Sequence, residues 1–190
     1  MDTWHDTELG LFTFDEYAWV KEFKMSVFLA FKYAGYGTGI QQTGRPNFDL
    51  LIEAENKNEI PSQPLVEVAR LTISNLERLV KEGIVALYND FIGNGPNSGM
   101  WWHSCLEDVR KDIINELENE ALCKLEEAGD LYTYMGNPSV FVQSRGYGYK
   151  YPCAVISFSA LFEVEHGIGM LTDGNTILGV GYEMSVSPFE

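Results

Sequence analysis

Apolar residues recur at steps of three and four from Pro64 to about Ile92, with Val66, Ala69, Ile73, Leu76, Val80, Ile84, Leu87 and Phe91 on one stripe. This spacing predicts a long helix buried along that stripe. Pro64 suits a first helical turn, and Gly93-Asn94-Gly95-Pro96 supplies left-handed and breaker residues beyond the end. Gly83 in the interior is worth about 1 kcal/mol less than Ala, which fits a close approach by a neighbour. A second stripe, Leu106, Val109, Ile113, Leu117, Ala121 and Leu125, predicts another long helix. Ser104 and Glu107 open it with the spacing of a capping box, Glu107–Lys111 and Glu120–Lys124 sit at i,i+4, and Gly129 follows its expected end at Ala128.

The rest of the chain reads as strands. Leu9–Phe14, Trp19–Phe23, Met25–Lys32 and Phe48–Glu55 precede the helices, and Leu131–Met135, Val140–Ser144, Ala154–Val164, Ile168–Thr172 and Thr176–Tyr182 follow them. Ile156, Phe158, Ala160, Phe162 and Val164 alternate with smaller or polar residues, so one face of that strand is core and the other is partly solvated. Asp173-Gly174 is the dipeptide of a type I′ hairpin turn. Strands, then helices, then strands predict one α+β domain over residues 1–190, a mostly antiparallel sheet with two long amphipathic helices packed on it. Its weakest join is 93–102, and no repeat, low-complexity tract or linker divides it.

Charge narrows the partners. Thirteen Lys and Arg against 28 Asp and Glu leave a net charge of −15. Nucleic acid and anionic membrane both need positive charge, so both are excluded as partners, and a cationic protein is the class this field attracts. Residues 151–190 hold five acids and no Lys or Arg, and residues 106–130 hold nine acids against three basic residues, a local charge of −6. Cys105, Cys123 and Cys153 have no metal-ligand spacing, and their odd number argues against a disulfide framework. Cys123 and Cys153 fall in element patterns and read as packing residues. The longest apolar run, Val27–Phe31, is too short to span a bilayer, and the acidic start Met1-Asp-Thr-Trp-His-Asp has no signal core. The expectation is a soluble cytoplasmic protein.

The candidate chemistry lies near the C-terminus, where Glu163, Glu165 and His166 fall within four positions before Gly167 and Gly169. In an extended strand Glu163 and Glu165 share a face and His166 points away, unless the glycines form a bulge that turns the imidazole back. Two carboxylates and an imidazole suit divalent-metal binding or acid–base chemistry, a binding surface, or a structural role in which His166 bonds a backbone carbonyl and the glycines let the strand bend. A zinc site needs three or four ligands, and the other histidines, His5 and His103, are distant in sequence, so no metal or cofactor is implied. Trp101-Trp102-His103 follows a glycine-rich stretch; paired tryptophans on a loop serve as a partner anchor or fold back as a lid on the core. A Cys105–His103 nucleophile pair has no supporting local signature. Gly35-Tyr-Gly-Thr-Gly39 lacks the full spacing of a phosphate loop and reads as a loop between strands. Arg145–Tyr151 mixes two cations with aromatic residues and reads as a hairpin tip.

The closing pattern, Phe162-x-Val164-Glu165-His166-Gly167-Ile168-Gly169, then Gly174 and Ile177-Leu-Gly-Val-Gly181, resembles the end of several uncharacterised bacterial domain families, domains of unknown function. Those families read aromatic, Asp, x, Glu-His-Gly, aliphatic, Gly, then a hairpin ending in aliphatic-Gly. Glu163 stands here at their acidic position and Phe162 at their usual tryptophan, and the stretch around Gln63 is similar to their strand-to-helix join. Some of these families occur in loci that resemble polymorphic-toxin immunity neighbourhoods. The resemblance implies an α+β fold and a bacterial source, and it brings no catalytic residues.

The sequence therefore predicts a non-catalytic acidic binding protein, of the kind that neutralises a basic toxin or enzyme, with Glu163, Glu165, His166, Trp101 and Trp102 as binding residues and the tail's acids as surface charge. An alternative is a metal-dependent or acid–base hydrolase centred on Glu165 and His166, with His103 in the same pocket. A structural oligomer pairing through a strand edge is the third reading.

Overall fold

The computed structural model describes residues 2–35, 37 and 39–189. Met1, Glu190 and, within the Gly35–Gly39 loop, Tyr36 and Thr38 lie outside the described residues. Among the described residues eight strands form one sheet in sequence order: β1 (Thr3–Asp6), β2 (Gly10–Asp15), β3 (Ala18–Lys24), β4 (Asn47–Glu53), β5 (Met135–Gln143), β6 (Cys153–Ala160), β7 (Glu163–Thr172) and β8 (Ile177–Tyr182). Every neighbouring pair is antiparallel except β4 and β5, which run parallel. Parallel neighbours need a long crossover, and the chain between them supplies both longer helices.

Helix α1 (Gln63–Phe91) follows the apolar stripe and packs across β4 to β8. Leu76, Leu79, Val80 and Leu87 are fully buried against Phe48, Leu50 and Ile52 of β4 and the matching residues of β5 and β6. Gly83 is the point of closest approach, because a Cβ there would lie 2.2 Å from Met170 Sδ of β7. No helix among the described residues is long and apolar enough to cross a membrane.

The second long helix is a correction. Helix α2 covers only Leu106–Leu117 and stops at Glu118, which adopts φ +51°. Glu116, Glu118 and Glu120 crowd a C-terminus whose dipole disfavours anions, and Asn119 Oδ1 accepts the Ala121 N–H at 3.1 Å to start a separate turn. The expected capping box does not form either: Ser104 has φ +58° and the cap position falls on Cys105. Lys111 pairs with Asp108 and Arg110 with Glu107, so i,i+3 pairs replace the expected Glu107–Lys111 pair, and Glu120 and Lys124 lie beyond the end of α2. Residues 120–130 run through two 3-10 turns, the second opened by reciprocal bonds between Glu127 and Asp130. The strand expected over Leu131–Met135 is instead a short helix, α3 (Leu131–Tyr134), with Met135 opening β5.

Two further expectations change. Met25–Lys32 is no strand; Ser26–Ala30 is a 3-10 turn that drops Phe28 and Phe31 into the core. The Asp173-Gly174 hairpin exists, but its loop has four residues and only Gly174 has positive φ, +92°. Asp173 Oδ1 shapes that loop by accepting the Asn175 and Thr176 N–H groups at 2.8 and 2.9 Å.

Candidate acidic and aromatic site

The tail carries the bulge that its glycines permit. Phe158 pairs with Ile168 and Ala160 with Glu163, so β7 has three more residues than β6 across that step. Gly167 takes φ +62°, and a Cβ on it would lie 2.8 Å from the Phe158 carbonyl oxygen. The extra residues swing the imidazole back, and His166 Nδ1 lies 2.9 Å from Glu163 Oε1. Facing a carboxylate, that nitrogen is the donor. The ring also packs on Tyr182, with centroids 4.6 Å apart.

Glu163 is thus no solvated surface charge, as the tail's acids were expected to be. Its side chain is only 10% exposed, and its second oxygen accepts the Trp101 indole N–H at 3.0 Å. Glu165 is exposed. It lines a cleft of about 340 Å³ with His166, Glu183, Met184, Ser159 and Ser185.

The two tryptophans differ in burial. Trp102 is fully buried, edge-on to Phe91, Phe162 and Tyr182, while Trp101 keeps 37% of its surface exposed. Their loop is pinned by Asp90, a residue the sequence reading missed. Asp90 lies in the last turn of α1 with its side chain wholly buried. Its carboxylate accepts from the Ser98 N–H at 3.2 Å, the Ser98 hydroxyl, Trp102 Nε1 at 2.8 Å and His103 Nδ1 at 2.6 Å. Its carbonyl accepts the Ser104 N–H at 2.9 Å. An anion at a helix C-terminus runs against the dipole, and this ring of donors offsets that. The position itself was the available signal: an acid in a last helical turn with no basic neighbour needs another partner.

His103 and His166 do not share a partner; each imidazole is bonded to its own carboxylate. Among the described residues no group of three or more His, Cys, Asp and Glu side chains is placed to hold a metal ion. Burial pushes the Cys153 thiol up to about 11 and raises that of Cys123 as well, which makes both poor nucleophiles.

One more carboxylate completes the patch. Asp112, on α2, has its carboxyl pushed up by burial and by the charges of Asp108 and Glu163, against a smaller lowering from Lys111. Of these acids Glu163 is the one bonded to the exposed Trp101 indole, and its charge reaches Asp112 on α2. Comparison with protein-family models, curated proteins and solved structures gives no match for this chain.

Proposed function

We propose that this chain is a non-catalytic binding protein that holds a cationic protein partner against the patch formed by Trp101, Glu163, Asp112 and Asp108. The observation that carries this reading is the exposed Trp101 ring fixed at 3.0 Å on the Glu163 carboxylate. Beside that pair, burial first and then the charges of Asp108 and Glu163 raise the Asp112 carboxyl, and a perturbed acid near an exposed ring supports a binding role. A lysine or arginine docked there relieves the repulsion and stacks its charge on the Trp101 ring. The net charge of −15 steers the same class of partner from a distance. The resemblance of the closing motif to families from immunity-type loci makes a basic toxin or enzyme the kind of partner meant.

Affinity capture from the source organism's lysate at low and at high salt tests this. A basic protein should be retained at low salt, released at high salt, and lost from a Trp101→Ala, Glu163→Gln double variant. Capture of nothing at any salt, or capture indifferent to the double variant, contradicts it.

A second reading rests on the Glu163–His166 pair, in which a carboxylate orients a half-exposed imidazole at the edge of a cleft. This is the geometry of a general base. It predicts hydrolysis of a small ester by the purified protein, abolished by His166→Ala. Turnover unaffected by that substitution removes it.

A further inference from the structure

The sheet face opposite α1 is covered over only half its width. Across β6–β8 the C-terminal segment folds back, burying Val186 against Val155 and Leu171, and the Phe189 N–H donates to the Leu178 carbonyl at 2.8 Å. Across β3–β5 the face is open. There the strand register sets Val20 beside Leu51, Leu51 beside Phe141, and Phe141 beside Val155. One apolar row therefore crosses four strands, and its Val20, Leu51 and Phe141 are only half-buried. Tyr17, 58% exposed, leans its ring edge-on over Phe141 at 6.3 Å, and Met184, 89% exposed, closes the other end. A groove of about 380 Å³ lies along the row.

Nothing in the fold accounts for this row, since a solvated sheet face is served by polar residues. The charges around it define what fits. By strand alternation the open face carries Asp15, Glu22, Asp49, Glu53 and Lys24, Glu183 lines the groove, and Lys32 and Arg45 line the neighbouring hollow that Glu22 and Asp49 share. Five acids against three basic residues leave −2, so a second copy laid face to face meets like-charge repulsion. Nucleic acid and anionic lipid are disfavoured on the same ground. Glu183 and Met184 line both this groove and the cleft of His166 and Glu165, so the two surfaces are continuous.

We infer that the open face of β3–β5 is the main docking surface for the cationic partner, seating a segment whose apolar side chains are flanked by lysine or arginine. This rests on the acidic-patch reading and extends it: the apolar row supplies the buried contact, and the carboxylates supply direction and specificity.

The test is an NMR titration of the isotope-labelled protein with two synthetic peptides of equal length and charge. One is an amphipathic peptide of leucine and lysine; in the other serine replaces leucine. The leucine peptide should shift the resonances of Val20, Leu51, Phe141 and Met184 and bind about tenfold more tightly than the serine peptide. A Leu51→Thr, Phe141→Thr variant, which keeps β-forming residues, should bind both peptides equally while melting at the wild-type temperature; should it unfold, Met184→Ser alone serves as the second variant. Equal binding of the two peptides at the Trp101 patch alone overturns the docking face and leaves the acidic-patch reading standing. Binding of neither overturns both. Self-association in sedimentation that the threonine variant abolishes also overturns the inference, because the occupant is then a second copy.

Discussion

The Trp101 indole and the Glu163 carboxylate, 62 residues apart in the chain, meet at 3.0 Å. That bond ties the loop after α1 to the bulge in β7 and fixes an exposed aromatic ring beside an acid. Trp101→Phe keeps the ring and removes the N–H. It should lower stability by about 1 kcal/mol, the usual worth of one partly exposed hydrogen bond, read as a shift in the urea midpoint at unchanged slope.

Asp90 should prove the most sensitive polar residue. Asp90→Ala leaves the buried Ser98 and Trp102 donors and the His103 ring without their acceptor, a loss of about 3–5 kcal/mol by analogy with breaking a buried charged pair. Asp90→Asn should cost less, because one amide oxygen still accepts. Denaturant unfolding of both variants, followed by tryptophan fluorescence, checks the order.

Gly167→Ala forces a side chain into φ +62° and sets its Cβ 2.8 Å from the Phe158 carbonyl oxygen. The expected destabilisation is about 2 kcal/mol or more. Since the bulge is what brings His166 to Glu163, the same variant should lose the cross-peak between protons of these two residues in an NMR spectrum. A stable variant that keeps that contact argues against the glycine's role.

At low pH the Asp6–Arg70 pair comes into play. Burial raises the Asp6 carboxyl, but the Arg70 bond at 2.6 Å, the Leu9 and Glu8 amides and the guanidinium charge outweigh it and hold the group at about 2. The folded value is depressed below the ordinary 3.8, so its stabilisation is fully present above 3.8 and is lost as pH falls toward about 2. The difference in unfolding free energy between wild type and Asp6→Asn should therefore shrink across that window. A difference that stays constant from neutral pH to pH 2 contradicts the pairing.

Much of the scaffold was legible because it follows from periodicity. The α1 stripe and the strands around Leu50 and Met170 fall where the pattern puts them, whereas the one strand expected over Ala154–Val164 breaks at Leu161–Phe162 into β6 and the start of β7, and β6 is buried on both faces rather than one. The second stripe was misleading: Leu125 is buried as the pattern requires, but it reaches the core from a turn, where its carbonyl takes two bonds from Arg110. Short apolar runs such as Met25–Lys32 serve a strand or a turn equally well. The site was legible in its residues and not in its pairings. Whether Glu163 or Glu165 meets His166 depends on a bulge that Gly167 permits without dictating, and Trp101 and Trp102 are alike in sequence until packing buries one of them.

The direct measurement is Asp112→Asn, assayed for stability and for binding together. Burial and the charges of Asp108 and Glu163 raise this carboxyl in the folded state, so its ionised form opposes folding at neutral pH, and that opposition disappears below the ordinary value of 3.8. The substitution should raise the urea midpoint at neutral pH, make no such gain in acid, and weaken binding of a short lysine-rich peptide severalfold. A variant that is less stable at neutral pH, or that binds the peptide as well as wild type, would contradict an acidic patch held together for a cationic partner.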